Sequence, residues 1–290
     1  MSSSPTEYER PTTLEEVYAL LARDADVKLT AGGQSLSLLL REGLVDPDVV
    51  VDISDTAELT GVSRAGETLR IGAATTYAAV RDHEIAEMYE ELGAAIDLIA
   101  DPQVRNLGTL GGAVSHADPA LDIIAPLLCL DASVQIGGID GRRTVRLSDF
   151  FSGFMQTELR DSELVEAIEV EHPQPGRGSY RKHSKIKGGW AIVGVAARVS
   201  LSDDGESVNT AHIALTAVDD SAVRIPAAEA TLIGHPPSEE RIDLAAETVR
   251  EEIDPVSDVS GSERYKRMLS EELTRRTLTD IVDELRSDTR

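Results

Sequence analysis

Two separate glycine pairs constrain this chain more than any other feature of its sequence. One lies in the run Ala31-Gly32-Gly33-Gln34-Ser35-Leu36 and the other in Thr109-Leu110-Gly111-Gly112. Each follows a segment with the pattern of a strand or tight turn and precedes an apolar, helix-prone run. Because glycine lets the main chain approach a ligand closely and accepts positive φ, N–H groups in such loops can bind an anion without lysine or arginine.

The two loops together predict a binding site for one diphosphate. N–H donors suit its negative charge, since each contributes about 1.5–3 kcal/mol toward a charged acceptor. The hydroxyl groups of Ser35 and Thr109 stand beside the glycines. The alternative for each pair is a simple turn, but the occurrence of two such loops favours anion binding.

The composition is strongly acidic. Acidic residues number 52 against 28 basic ones, which gives a formal net charge of −24. This balance argues against nucleic acid binding. Self-repulsion at this charge weakens a compact state in dilute buffer, whereas at ~1 M salt the Debye length falls to about 3 Å. We therefore expect a salt-rich cytoplasm as the setting; an acidic protein of ordinary salt tolerance is the alternative.

The N-terminal residues and the cysteine content bear on the compartment. Residues 1–10 lack the basic and apolar regions of a secretory signal, and no apolar run approaches the ~18 residues of a membrane span. We therefore expect a cytoplasmic protein. The only cysteine, Cys129, lies among apolar neighbours. It can form no internal disulfide, and its expected role is core packing.

Periodicity and turn residues predict alternating elements. Predicted helices cover 13–21, 36–40, 84–100, 227–233, 239–252 and 262–286, and predicted strands cover 27–30, 49–53, 61–63, 69–73, 133–136, 144–147, 164–170, 190–199 and 212–218. Asp101-Pro102 is predicted to end the third helix, and His172–Gly176 is the predicted boundary between two parts. The chain is therefore predicted to form two domains, residues 1–175 and 176–290, the second of α+β type.

Patterns for other chemistry are incomplete. Neither G-x-G-x-x-G nor G-x-x-x-x-G-K-[ST] occurs, which argues against a Rossmann domain and a nucleoside-triphosphate loop. Ser115, His116 and Asp118 supply the residue types of a hydrolase triad, but triad members meet across a fold and no nucleophile elbow surrounds Ser115. The run 83–87 ends in Glu where a zinc-protease motif has His. We predict no metal site and no catalytic residue.

One short segment is basic in this acidic chain. It contains Arg177, Arg181, Lys182, Lys185 and Lys187. One interpretation is a solvated strand edge. The other is a positive rim that faces an anionic cofactor, a second nucleotide or a partner subunit.

Four runs of sequence carry a family resemblance, and they are Ala31–Leu36, Gln103–Gly112 with His116–Asp122, Lys187–Ala191 and Gly261–Arg267. Through these runs the chain resembles the FAD-binding medium subunit of the molybdenum hydroxylases, the carbon monoxide dehydrogenase and xanthine dehydrogenase family. The resemblance extends over nearly the whole chain. The resemblance implies an α+β fold. Its N-terminal FAD-binding domain would be of the vanillyl-alcohol-oxidase (PCMH) type in two lobes, and its C-terminal α+β domain would have a three-stranded sheet and helices.

The resemblance also implies a cofactor and its ligands. Ala31–Leu36 and Thr109–Gly112 would surround the pyrophosphate of FAD, Asp118 and Asp122 would lie near its adenosine, and Leu110 with Lys187 would approach the isoalloxazine. The family usually has Asn or Ser after the second glycine pair, where this chain has Ala113. One side-chain hydrogen bond is then missing, but the backbone donors remain.

The partners implied by the resemblance are a molybdopterin-containing large subunit and a small iron–sulfur subunit. This chain would be an FAD-dependent oxidoreductase subunit that passes electrons from the clusters to an external acceptor. Two alternatives remain open. One is a free-standing FAD-dependent oxidase or reductase of the same fold, and the other is a non-flavin module for an anionic ligand.

Overall fold

The computed structural model describes residues 6–288, so the outermost residues of both predicted domains lie outside it. The fold is α+β, as predicted, and contains three larger sheets with helices packed on them. The N-terminal lobe consists of β1 (Glu7–Glu9), α1 (Leu14–Leu21), β2 (Val27–Thr30), α2 (Leu36–Arg41) and β3 (Val49–Asp52).

The first sheet is parallel, with the order β1-β3-β2. Thr13 caps α1 through a capping box with Glu16, which satisfies N–H groups at the start of the helix. The apolar side of α1 then packs against β3, where Val49 and Val51 are buried. This packing leaves the carboxyl ends of β2 and β3 free to carry loops.

The second lobe is built on a five-stranded antiparallel sheet of order β4-β5-β10-β6-β7. Its strands are β4 (Val62–Ala65), β5 (Thr68–Gly72), β6 (Ser133–Gly138), β7 (Gly141–Arg146) and β10 (Glu163–Glu171), with a separate hairpin of β8 (Phe151–Gly153) and β9 (Gln156–Thr157). Its helices are α3 (Tyr77–Arg81), α4 (Ile85–Met88), α5 (Glu90–Leu98), α6 (Pro102–Leu107), α7 (Leu110–His116) and α8 (Ile124–Cys129). The largest apolar core lies between this sheet and these helices.

The third sheet has four antiparallel strands in the order β11-β12-β13-β14. The C-terminal elements are β11 (Arg177–His183), β12 (Val193–Leu201), β13 (Val208–Thr216), β14 (Val223–Arg224), α9 (Pro226–Leu232), α10 (Glu239–Glu252) and α11 (Glu263–Asp288). The expected three-stranded sheet thus gains a fourth, edge strand. The added strand, β14, has only two residues, which is too few to give an alternating pattern in the sequence.

The predicted helix over 84–100 is wrong in its continuity. It divides at Tyr89, whose backbone leaves the helical region (φ −118°, ψ 83°). The ring is buried, and its hydroxyl lies 2.7 Å from Nδ1 of His172. Asp101 and Pro102, expected to end that helix, begin α6 instead as its N-cap and first residue, which is a favoured use of proline.

The segment between the second lobe and β11 wraps around one arginine. Arg198 on β12 donates to the carbonyl oxygens of Gln174, Pro175 and Gly176 at 2.8, 3.2 and 3.1 Å. Its remaining N–H groups donate to Glu91 on α5 at 3.1 and 3.2 Å. All five donors of this buried guanidinium are therefore used where the N- and C-terminal parts meet.

Among residues 6–288, no helix combines the length and apolar character required to cross a bilayer.

Candidate functional site

The two glycine loops are in direct main-chain contact. A methyl group added to Gly32 would lie 1.7 Å from the carbonyl oxygen of Leu107 and 2.9 Å from the nitrogen of Gly108. No side chain fits between them, so the first loop passes immediately beside the turn that leads into the second. The structure therefore brings together the two segments that the sequence predicts to act jointly.

The first loop presents a run of free N–H groups. It connects β2 to α2, and Gly33 has a φ of +66°, which residues with side chains rarely adopt. Within residues 6–288, none of the main-chain N–H groups from Gly32 to Leu36 donates to a protein acceptor, although the Gln34 side-chain amide donates to the carbonyl oxygen of Gly32. The Ser35 side chain makes no capping bond, although it stands at the N-cap of α2. These five consecutive donors are available to an anion.

The second loop uses its N–H groups differently. Leu110 donates to the carbonyl oxygen of Thr75 at 3.1 Å, and Gly111 donates to that of Ala73 at 2.9 Å. The N–H of Gly112 donates to Oγ1 of Thr109 at 3.1 Å, which caps α7. Of this predicted run, only Thr109 keeps an N–H without a protein acceptor in the described part of the chain. The second loop is thus a fixed wall rather than a second row of donors.

A cavity of about 420 Å³ opens beside the first loop. Gly32, Gly33, Leu36, Tyr8 and Asp52 are among the residues that line it. The Asp52 carboxylate accepts from the Tyr8 hydroxyl at 2.6 Å and from the N–H of Ser54 at 3.0 Å. Burial by itself would raise the pKa of Asp52, but these hydrogen bonds outweigh it and lower the pKa.

Tyr8 and Asp52 are not among the site residues that the sequence predicts. The signal for Asp52 was its place at the carboxyl end of a parallel strand, next to the strand that carries the glycine loop, where ligands commonly bind in open sheets. Tyr8 gave no such signal. It lies in the three-residue strand β1, which is mostly exposed and so has no apolar pattern that would predict a strand.

Asp118 and Asp122 stand at opposite ends of the turn between α7 and α8. Oδ1 of Asp118 accepts from the N–H of Ala120 at 2.8 Å and shapes that turn. The buried Asp122 accepts from the Tyr180 hydroxyl at 2.6 Å and from Nζ of Lys182 at 2.7 Å. Burial raises the pKa of Asp122, and the contacts with Lys182 and Tyr180 oppose that rise. Asp122 therefore connects the second lobe to β11.

Leu110 and Lys187 lie in contrasting environments. Leu110 is fully buried in the core of the second lobe. Lys187 is exposed in the turn after β11. The next residue, Gly188, has a φ of +73°, and a methyl group there would lie 2.5 Å from the carbonyl oxygen of Ala100. This close contact fixes the turn against the segment that precedes α6.

The basic segment on β11 is mostly neutralised by distant carboxylates. Arg177 pairs with Glu90, Arg181 with Asp280 and Lys182 with Asp122. Lys185 donates to the carbonyl oxygen of Val259. Three of these side chains therefore attach β11, the edge strand of the third sheet, to α5, to α11 and to the turn after α7. Lys185 and Lys187 are exposed.

Two family models together match almost the whole chain. Residues 4–173 match the FAD binding domain in molybdopterin dehydrogenase, and residues 178–281 match the CO dehydrogenase flavoprotein C-terminal domain. The chain belongs to the molybdopterin dehydrogenase flavoprotein family. The predicted family, the FAD cofactor and the oxidoreductase class are thereby confirmed.

Relatives of this flavoprotein are similar over nearly their full length. The carbon monoxide dehydrogenase medium chain of Hydrogenophaga pseudoflava is 34% identical, covering 94% of this chain and 95% of that one. The nicotine 6-hydroxylase medium subunit of Paenarthrobacter nicotinovorans is 33% identical, covering 94% and 96%. A chain of quinoline 2-oxidoreductase from Pseudomonas putida 86 superposes with a TM-score of 0.91 at 31% identity, covering 98% and 99%.

The donor set of this flavoprotein fits a dinucleotide. The free N–H groups of Gly32–Leu36 match an anionic linker, and the adjoining cavity of about 420 Å³ has room for part of a nucleotide. Beyond its own Thr109 cap, Gly112 has no neighbour within 4 Å of an added methyl group, so its outer side is open to a ligand.

Proposed function

We propose that this chain binds FAD in a molybdenum hydroxylase complex and passes electrons from an iron–sulfur partner to an external acceptor. The observation that carries this proposal is the row of five free N–H groups from Gly32 to Leu36 beside the second glycine loop. The names of similar proteins supply the context, since they are the medium subunits or chains of a nicotine hydroxylase and of carbon monoxide dehydrogenases. A molybdopterin-containing large subunit and a small iron–sulfur subunit are the partners we propose.

Different residues of the site contact different parts of the cofactor. In the segment Ala31–Leu36, the main-chain N–H groups of Gly32 to Leu36 donate hydrogen bonds to the pyrophosphate. The Ser35 hydroxyl can add a side-chain contact, whereas the Gln34 side-chain amide donates to the carbonyl oxygen of Gly32 at 3.0 Å and shapes the loop. Thr109–Gly112 form the opposing wall, which stays in place because Ala73 and Thr75 hold it. Asp118 and Asp122 lie toward the adenosine, and Leu110 and Lys187 toward the isoalloxazine; these four assignments rest on the family resemblance.

Bound FAD supplies the ability to take electrons singly and deliver them in pairs. The chain's own residues bind and orient the cofactor and exclude water from its linker. No proton transfer is assigned to a side chain of this subunit. The substrate reaction then belongs to the large subunit.

Calorimetric titration of the purified full-length chain with FAD and FMN tests the proposal. FMN lacks the AMP half and the diphosphate linkage, so it forfeits hydrogen bonds from the first loop. We expect FAD to bind at least about a hundredfold more tightly than FMN, the effect of two charge-assisted hydrogen bonds. Equal affinities would contradict the pyrophosphate assignment. Binding of simple diphosphates but of neither flavin would support a non-flavin module instead.

Purification from native extract tests the complex. Co-elution with a molybdopterin subunit and an iron–sulfur subunit is expected, and a chain that turns over a small substrate alone would favour the free-standing oxidase.

We further propose a domain boundary at residues 175 and 176, supported by the separate family matches on either side. A salt-rich cytoplasm is the setting that the net charge of −24 supports.

A further inference from the structure

Glu166 occupies an irregular position in the central strand of the second lobe. The pairing of β10 with β6 runs regularly to Val165 and resumes at Ala167, so Glu166 is the extra residue of a β-bulge. Its side chain is buried. The bulge leaves Glu166 without a partner on β6, whereas on the β5 side the pairing of Ala167 with Gly72 is regular and the N–H of Ala73 continues it by donating to the Glu166 carbonyl oxygen.

The Glu166 carboxylate is held at the junction of the two lobes by Arg142 and Tyr18. Nε of Arg142 on β7 donates to both carboxylate oxygens at 2.9 Å, and the Tyr18 hydroxyl on α1 donates to Oε1. Gly137 makes room for them, since a methyl group there would lie 1.7 Å from Oε1. Burial and the adjacent carboxylate raise the pKa of Tyr18 to about 12, so its hydroxyl remains a donor at neutral pH.

The main chain of Glu166 leads to the flavin site. Its carbonyl oxygen accepts from the N–H of Ala73 at 2.9 Å, and the carbonyl oxygen of Ala73 accepts from the N–H of Gly111 at 2.9 Å. A methyl group on Gly111 would lie 2.3 Å from Cβ of Ala73. Any displacement of Ala73 therefore moves the second glycine loop with it.

We propose that Glu166 is a positioning residue for the second glycine loop. Its carboxylate, fixed by Tyr18 and Arg142, orients its own carbonyl group, which holds Ala73 and through it Gly111. The link to FAD affinity rests on the proposed function, whereas the link to the Gly111 amide does not. The lobe junction and the cofactor wall are thus connected by two successive hydrogen bonds.

The test substitutes Glu166→Gln, which keeps the shape but turns an NH₂ group toward Arg142. Glu163→Gln is the matched control, because Glu163 on the same strand pairs with Arg143 on β7 and has no bond to Ala73. In the full-length chain, we expect Glu166→Gln to accelerate hydrogen exchange of the Gly111 amide about tenfold, as one weakened hydrogen bond allows. The Kd for FAD should rise by about the same factor. Glu163→Gln should change neither quantity by more than about twofold.

Tyr18→Phe removes one hydroxyl and gives a milder change in the same direction, and it decides the matter if Glu166→Gln does not fold. Unchanged exchange at Gly111 in both variants would overturn the proposal, as would an equal effect of Glu163→Gln. A merely stabilising role would lower Tm in both Gln variants without a selective effect at Gly111. Faster exchange in a chain that binds no FAD would support the positioning role and contradict the proposed function alone.

Discussion

Gly32 and Leu107 are in main-chain contact, with no space for a Cβ atom between them. This contact sets the distance between the row of free donors and the wall that faces it. Both loops are otherwise anchored in separate lobes, Gly32 after a strand of the first sheet and Leu107 at the end of a helix of the second lobe. The shape of the cofactor site therefore depends on the absence of a side chain at Gly32.

Gly32→Ala is expected to push the two loops apart. The added methyl group would overlap the carbonyl oxygen of Leu107 at 1.7 Å, and relief requires movement of main chain, which costs about 1–3 kcal/mol in the free energy of unfolding. Chemical denaturation measures this loss, and FAD titration should show weaker binding. Wild-type affinity together with wild-type stability would show that the loops separate freely.

Gly33→Val tests the free donors themselves. Val at a φ of +66° is strained, and its branched side chain would stand where the linker approaches. Gly43→Val is the matched control, since Gly43 has a φ of +67° but no atom within 4 Å of an added methyl group. Both variants should lose about 1–2 kcal/mol of stability, but only Gly33→Val should purify without flavin absorbance. Retention of stoichiometric FAD by Gly33→Val would contradict the donor assignment.

Arg198→Met is expected to be severely destabilising. It leaves Glu91 buried without its partner, and it frees three carbonyl groups of residues 174–176. Removal of one member of a buried ion pair costs about 3–5 kcal/mol. Arg276→Met, which breaks an exposed pair with Glu272, should cost less than about 1 kcal/mol. Urea denaturation distinguishes the two, and similar losses would mean that the linker is held by other contacts.

The sequence predicted the elements whose stability is local. The bounds of the strand at 27–30 and of the helix at 239–252 agree with the structure, because each has an uninterrupted pattern and a clear start signal. The segment of β11 was interpreted from the sequence only as a solvated strand edge or a positive rim, without strand bounds, because its charged side chains hide any alternation. Those charges pair with Glu90, Asp122 and Asp280, which are far away in sequence.

The site was predictable only to the level of its two loops. Two glycine pairs in predicted loops indicated where an anion could approach, and the structure brings these loops into main-chain contact. Which N–H groups stay free depends on Ala73 and Thr75, whose carbonyl groups satisfy the second loop. That contact depends on the packing of α7 beside the end of β5, which leaves no periodic pattern in the sequence.

Asp52→Asn gives a stability difference that depends on pH. The pKa of Asp52 in the folded state lies below its ordinary value, despite burial, because Tyr8 and Ser54 donate hydrogen bonds to the carboxylate. Its contribution is therefore present above the unfolded-state pKa of about 3.9 and is lost as the pH falls from there through the folded-state value. We expect Asp52→Asn to be about 1 kcal/mol less stable at pH 7 and to converge on the wild type below pH 4. A difference that stays constant from pH 7 to pH 3 would show that the charge of Asp52 is irrelevant.

Salt should stabilise this protein mainly by screening. With a net charge of −24, repulsion among surface carboxylates opposes the compact state, and the Debye length shortens from about 10 Å at 0.1 M to about 3 Å at 1 M. Tm is therefore expected to rise with KCl, most steeply at low concentrations, where screening changes fastest. Sucrose at matched osmolality is the control, because it acts by exclusion from the surface and leaves electrostatic repulsion intact. A Tm that is the same in dilute buffer and in molar KCl would remove the salt-rich setting, and equal responses to KCl and sucrose would assign the effect to exclusion instead.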